Sequence, residues 1–313
     1  MRTIIVDQNG NGDYLTVTEA IQAAPDHAIE RTCIVLKNGE YREKITVPEN
    51  KRNLCMIGET RDGAIIIYDD SFSTIKPNGE KMTMYETPTF TILADDFYAE
   101  NITFANAASR VEPRGQALAI EARGDRAIFR NVSILGHQDT LYTSGYGRQL
   151  YDHCYIEGTV DFVFGSATAV FNECELHSID RHNGYVTAPS TGNAQTYGYV
   201  FLNCRLTTSA SAETVSLGRP WKPYGSSIFV NTWMDRHIRR GGWDNWRDPN
   251  KEITSRFAEY GSTGPGAEQA DRVGWAKMLT EKAVATLTIS SVLSGDDGWN
   301  PGEISVINAE TGV

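Results

Sequence analysis

Two aspartates, Asp139 and Asp161, stand 22 residues apart, and two further matched pairs share that offset: Gln116 with Gln138, and Tyr142 with Phe164. If the chain repeats with that step as adjacent parallel strands, equivalent side chains lie within roughly 5–6 Å, because neighbouring strands are ~4.8 Å apart. Two carboxylates held that close repel each other, so one keeps a proton or a cation intervenes. A carboxylate beside a carboxylic acid is a nucleophile beside a general acid, the pair that acyl transfer uses. Two carboxyls ~5 Å apart also suit a retaining glycosidase. The amides of Gln116 and Gln138 favour ester hydrolysis. Their N–H donors stabilise a tetrahedral oxyanion, whereas a glycosidase transition state develops positive charge at the sugar ring. Plainer readings compete: an internal amide ladder for the glutamines, a simple ring stack for Tyr142 and Phe164, and solvated turn positions for the aspartates. Alternation along a strand is an obstacle, since it turns Gln116 and Gln138 inward, away from the aspartates that follow them. Only a bend or a strand end at that point brings all four to one cleft.

The elements that must position these residues show as a repeat. An apolar or aromatic stretch, a polar landmark, then a small or apolar residue recurs six times: Phe97–Phe104, Ala127–Ile134, Leu150–Ile156, Val170–Leu176, Val200–Leu206 and Ile228–Met234. The landmarks are Asn101, Asn131, His153, Glu173, Asn203 and Asn231, with steps of 30, 22, 20, 30 and 28 residues. Short alternating strands at a period of 20–30 predict a solenoid of strands, a parallel β-helix. Before the repeats, Thr16-Val-Thr-Glu19 is a capping box opening a short helix through Ala24, closed by Pro25. Its Val17, Ala20, Ile21 and Ala24 would cover the open end of the first coil. After Asn231 the pattern decays through Gly241-Gly-Trp-Asp-Asn-Trp246 and the stretch 261–266, so irregular loops and a C-terminal tail packed on the outside are expected. No linker marks a second domain, and residues 1–313 are read as one.

Composition narrows the functions. Of 313 residues 22% are charged, and the formal net charge of −11 argues against nucleic acid, whose phosphates need a basic face. An acidic polymer would have to meet local positive charge. No apolar run approaches the ~20 residues of a membrane span. The five cysteines, Cys33, Cys55, Cys154, Cys174 and Cys204, have no zinc-ligand spacing, and no metal or cofactor is implied. Cys154, Cys174 and Cys204 share one slot of the repeat. They are read as small buried residues in a ladder, with a Cys154–Cys174 disulfide as the alternative. No basic segment followed by an apolar stretch opens the chain. Two locations are compatible: inside the cell, acting on imported oligosaccharides, or outside it with a signal removed. A capped solenoid needs no partner subunit, which makes a monomer the default.

The same stretches resemble the pectin methylesterases, and the match runs almost end to end. Asp7–Tyr14 with Thr16–Ile21 is similar to the opening of that family, and Gly39-Glu-Tyr-Arg-Glu43 to its next signature. Gly115-Gln-Ala-Leu-Ala-Ile120, Gly136-His-Gln-Asp-Thr-Leu141, Gly158-Thr-Val-Asp-Phe-Val-Phe-Gly165 and Leu217-Gly-Arg-Pro-Trp221 resemble its four active-site motifs, with Ile120 and Val163 as conservative variants. Tyr260 to Ala267 resembles its C-terminal signature. The resemblance implies a right-handed parallel β-helix that removes methyl esters from polygalacturonate. It implies Asp161 as nucleophile, and Asp139 as the acid that protonates methanol and then the base that activates water. Gln116 and Gln138 would stabilise the oxyanion. Arg219 would hold Asp161 ionised and supply the missing positive charge, although next to Pro220 it also reads as a loop salt bridge. Trp221 would stack on a sugar, Thr89 would contact substrate, and Tyr142 and Phe164 would line the cleft. The expected partner is methyl-esterified pectin or oligogalacturonides. Competing activities are a sugar acetylesterase, an acyl thioesterase, a non-catalytic pectin-binding β-helix and a calcium-dependent pectate lyase.

Overall fold

The computed structural model describes residues 2–108 and 115–303. Each coil visits three sheets in turn, and every strand pairs in parallel with its equivalents one coil before and after. Among the described residues the three sheets hold eleven, eight and seven strands. The strand Ala127–Arg130 belongs to the first sheet, Ser133–Leu135 to the second and Leu141–Thr143 to the third, after which Arg148–Asp152 returns to the first. The architecture is the expected parallel β-helix.

The polar landmarks are the corners between the first and second sheets. All six have left-handed backbone, with φ of 54° at Asn101, 48° at Asn131, 53° at His153, 51° at Glu173, 54° at Asn203 and 51° at Asn231. That region is costly for most side chains and least so for glycine and asparagine, which explains four asparagines in six places. One left-handed residue turns the chain sharply enough for the next strand to start two residues on. The corner is also where cysteines tuck in. Cys154, Cys174 and Cys204 each follow a landmark and are buried in the central core. Their sulfurs lie 3.3 Å from the carbonyl oxygens of Phe129, Tyr151 and Phe171. All five cysteines are free thiols, which overturns the Cys154–Cys174 disulfide. Cys33 and Cys55 pair across adjacent strands, and they sit in a separate cluster on the other side of the first sheet.

A ladder of rings fills the bore. Phe129, Tyr151, Phe171, Phe201 and Phe229 stack in turn with centroids 4.8, 4.7, 4.5 and 4.3 Å apart. Stacked pairs of this kind contribute about 0.5–1.5 kcal/mol each beyond their buried area. The residue before each ring, such as Ile128, Leu150, Val170 or Val200, points to the opposite face, as strand alternation requires.

The N-terminal end is closed by a helix. The helix Val17–Ala23 starts at Thr16, whose hydroxyl accepts the Glu19 N–H, and it buries Val17, Ala20 and Ile21. The C-terminal tail is more ordered than the sequence suggests. The short helices Glu281–Val284 and Ile289–Leu293 form, and Leu287, Val292 and Leu293 cover the outer face of the first sheet. Residues 304–313 of the expected tail lie outside the described residues.

Candidate active site

The aspartate pair sits at the corner between the second and third sheets. Asp139 and Asp161 are themselves left-handed, with φ of 63° and 51°. The Asp139 N–H donates to the Val160 carbonyl at 3.0 Å, so the two aspartates are backbone neighbours on adjacent coils. One coil earlier, the Ala117 N–H donates to the Gln138 carbonyl at 3.2 Å, which sets Gln116 beside Gln138 with the expected offset. Three residues on, Ile120 pairs with Leu141, so one extra residue enters the earlier coil between Ala117 and Ile120. The left-handed residues break strand alternation, which removes the obstacle to a shared cleft. Gln116, Gln138, Asp139 and Asp161 all line one cavity of about 210 Å³, together with Met84, Phe164, Ala188, Arg219, Trp221 and Trp246. Neither glutamine amide has a hydrogen-bond partner among the described residues, so both are free to donate into the cavity.

Charge separates the two carboxyls. Arg219 lies at the end of the strand Val215–Gly218 and reaches Asp161 with two bonds, Nε to Oδ1 at 2.9 Å and Nη2 to Oδ2 at 2.6 Å. Such bidentate, charge-assisted pairs favour the ionised carboxylate. No described residue hydrogen-bonds the Asp139 side chain. Burial raises the Asp139 carboxyl well above the ordinary value, and the charge on Asp161 adds to this, with Arg219 opposing. Burial also raises Asp161, but the bonds from Arg219 pull it back. Asp139 is therefore the group that keeps a proton, and Asp161 the one that stays charged. A carboxylate held by arginine, a second carboxyl with no cation bonded to it and two amides thus line one cavity.

The match with a family model described as Pectinesterase spans residues 3–296. The chain belongs to the pectinesterase family. It is 38% identical to Pectinesterase 31 of Arabidopsis thaliana over 90% of this chain and 88% of that one. Among solved structures, a pectin methylesterase in complex with a hexasaccharide is 35% identical, with a TM-score of 0.84 over 96% of this chain and 98% of the other. The pectin methylesterase from carrot is 31% identical, with a TM-score of 0.86 over 95% and 94%. The helix is right-handed, as in those structures.

The pectinesterase cleft differs from the sequence reading at its edges. Thr89 is fully buried, and its hydroxyl donates to the Ala105 carbonyl at 2.9 Å. It stands outside the cavity and ties one coil to another, because it falls one residue past the corner, level with Ala119 and Thr140, which are buried as well. Phe164 lines the cavity, and Tyr142 supports it from one coil back, with rings 4.6 Å apart and 10° from parallel. Trp221 meets both rings at an angle. Three wall residues have no counterpart in the sequence reading. Met84 comes from the short turn Met84–Glu86, Ala188 from the strand Gly184–Pro189, and Trp246 from the decayed stretch after the last repeat. Only Trp246 left a signal: two tryptophans within a glycine-rich loop have to bury somewhere.

Proposed function

We propose that this protein hydrolyses the methyl ester at C6 of galacturonate units in pectin, through a covalent acyl-enzyme on Asp161. The observation that carries the reading is the asymmetry of the pair: both carboxyls are buried in one cleft, and Arg219 holds only Asp161. The charged Asp161 oxygen attacks the ester carbonyl, and the free amides of Gln116 and Gln138 take up the oxyanion as it forms. Collapse of that intermediate expels methoxide, which takes the Asp139 proton and leaves as methanol. Asp139, now ionised, removes a proton from water, which attacks the acyl-enzyme. Collapse onto the acyl carbon expels the Asp161 carboxylate, the product leaves as the galacturonic acid and gives up its proton to water, and Asp139 is again protonated. Trp221 and Phe164 offer apolar faces for sugar rings, and Arg219 places positive charge at the cleft of an acidic protein.

Purified protein is expected to release methanol from methyl-esterified pectin, and Asp161→Ala to abolish it. No methanol from pectin or from short methylated oligogalacturonides would sink the reading. Acetate release exceeding methanol release from the same polysaccharide would move it to an acetylesterase.

A further inference from the structure

Arg219 is held on both flat faces. Its guanidinium carbon lies 3.9 Å from the ring centroid of Tyr185 and 3.8 Å from that of Trp246. Guanidinium against an aromatic face is favourable, and more so out of water. The two plates come from distant parts of the chain, Tyr185 from the third-sheet strand Gly184–Pro189 and Trp246 from the loop after the last repeat. One side chain reaches both. Asp244 Oδ1 accepts the Trp246 backbone N–H at 2.7 Å, and Oδ2 accepts the Tyr185 hydroxyl at 3.5 Å. Its own N–H donates to the Gly218 carbonyl at 3.1 Å, which docks the loop on the residue before Arg219.

The loop carries strain at this point. Trp246 and Arg247 are consecutive non-glycine residues with φ of 59° and 56°. Such backbone is costly for a residue with a side chain and persists only where its surroundings impose it. Here Asp244 and Asn245 impose it, each accepting the N–H two residues on, at 2.7 and 2.8 Å. The effect is to turn the Trp246 ring flat against Arg219.

We propose that Asp244 is a positioning residue for catalysis: it fixes Tyr185 and Trp246 as a clamp that holds the Arg219 guanidinium in its two-bond geometry on Asp161. The charged groups around that contact are Asp161, Asp244 and Arg219, with Asp139 protonated, Lys222 over the Trp221 ring at 5.7 Å and Lys251 over the Trp246 ring at 5.4 Å. Asp244 is itself a negative charge near Asp161 and on that ground raises its proton affinity. The two effects of removing it therefore have opposite signs. Loss of charge alone makes Asp161 easier to ionise and moves the acid limb of kcat/KM to lower pH. Loss of the clamp frees Arg219, makes Asp161 harder to ionise and moves the limb to higher pH.

The inference rests on the esterase reading, and wild-type methanol release tests that reading separately. Asp244→Ala is expected to lower kcat about tenfold or more with little change in KM, the size of effect a misplaced catalytic group gives, and to shift the acid limb upward. Asp244→Asn keeps an acceptor for the Trp246 N–H and is expected to restore most of kcat, with the limb at or below the wild-type position. A readout without turnover is the 15N guanidinium signal of Arg219, expected sharp in wild type and Asp244→Asn and broadened by exchange in Asp244→Ala. Tyr185→Leu, which removes one plate and leaves Asp244, carries the same expectation should Asp244→Ala fail to fold. The proposal is overturned if the folded Ala or Leu variant keeps wild-type kcat and a sharp Arg219 signal, or if the acid limb moves down in Asp244→Ala.

Discussion

Asp139 carries a cost that its neighbour avoids. Both carboxyls are buried to 6% exposure, yet only Asp161 has a cation bonded to it. The folded protein binds the Asp139 proton more tightly than the unfolded chain does, because burial disfavours the charge. A raised carboxyl contributes stability that is fully present below its unfolded value, about 3.8, and is lost as pH rises through the folded value. At neutral and higher pH, Asp139 therefore weighs against folding. Asp139→Asn removes that weight and puts asparagine, which tolerates left-handed backbone, at φ 63°. Melting curves are expected to show Asp139→Asn more stable than wild type at pH 7 and above, with the gain disappearing below about pH 3.8. The same variant should lose about 10²- to 10⁴-fold in kcat, the range for removing a general acid–base. A variant less stable than wild type at alkaline pH would mean that Asp139 is not the buried, proton-holding partner.

The coil corner is the element that organises both the fold and the site. Its period was legible because the left-handed corner favours asparagine, which fills four of the six. The asparagine landmarks mark the left-handed turns, and the 22-residue offset from Asp139 to Asp161 is the same geometry at the next corner. The alternation rule misjudged Gln116 and Gln138 for that reason, since it applies within strands and these residues adjoin a corner. Thr89 turns inward because it falls one residue past the corner, level with the buried Thr140, and a motif gives position along the chain without the face a hydroxyl takes. Trp246 and Asp244 lie where the repeat has ended, so no periodicity could align them with Arg219. Corner chemistry also makes a stability prediction. Glu173 occupies a left-handed corner that asparagine fills in four of the six, and its contact with His153 is between half-exposed side chains. Such surface pairs contribute ~0–1 kcal/mol. Glu173→Asn is expected to stabilise by roughly 0.5–1 kcal/mol in urea denaturation, from relieved backbone strain. Destabilisation would show that the His153 contact outweighs the corner.

At the scale of the whole molecule, the chain separates what must be rigid from what covers it. The bore is a continuous ladder of stacked rings beneath the cleft, and the tail lies on a different sheet from the cleft wall. Leu293 is fully buried on the outer face of the first sheet, and its helix packs on the strands Arg148–Asp152 and Thr168–Asn172. Arg148 anchors the same segment with two bonds to Asp297, at 2.6 and 2.7 Å. Among the described residues the tail's hydrogen bonds and ion pairs to the coils go to Arg126 and Arg148 and not to the cavity wall, so its docking should be separable from catalysis. Leu293→Asp removes an apolar contribution of about 1.5–3 kcal/mol and sets a carboxylate against Ile128, Leu150, Val170 and Val200. Hydrogen exchange is expected to rise sharply over 281–299 and at the edges of those strands, while methanol release stays within about twofold of wild type because a solenoid couples mainly to its nearest neighbours. If the variant instead lost activity in step with tail exchange, the tail would be part of the cooperative unit that holds the Asp139–Asp161 corner, and it would have to be counted among the elements that build the site.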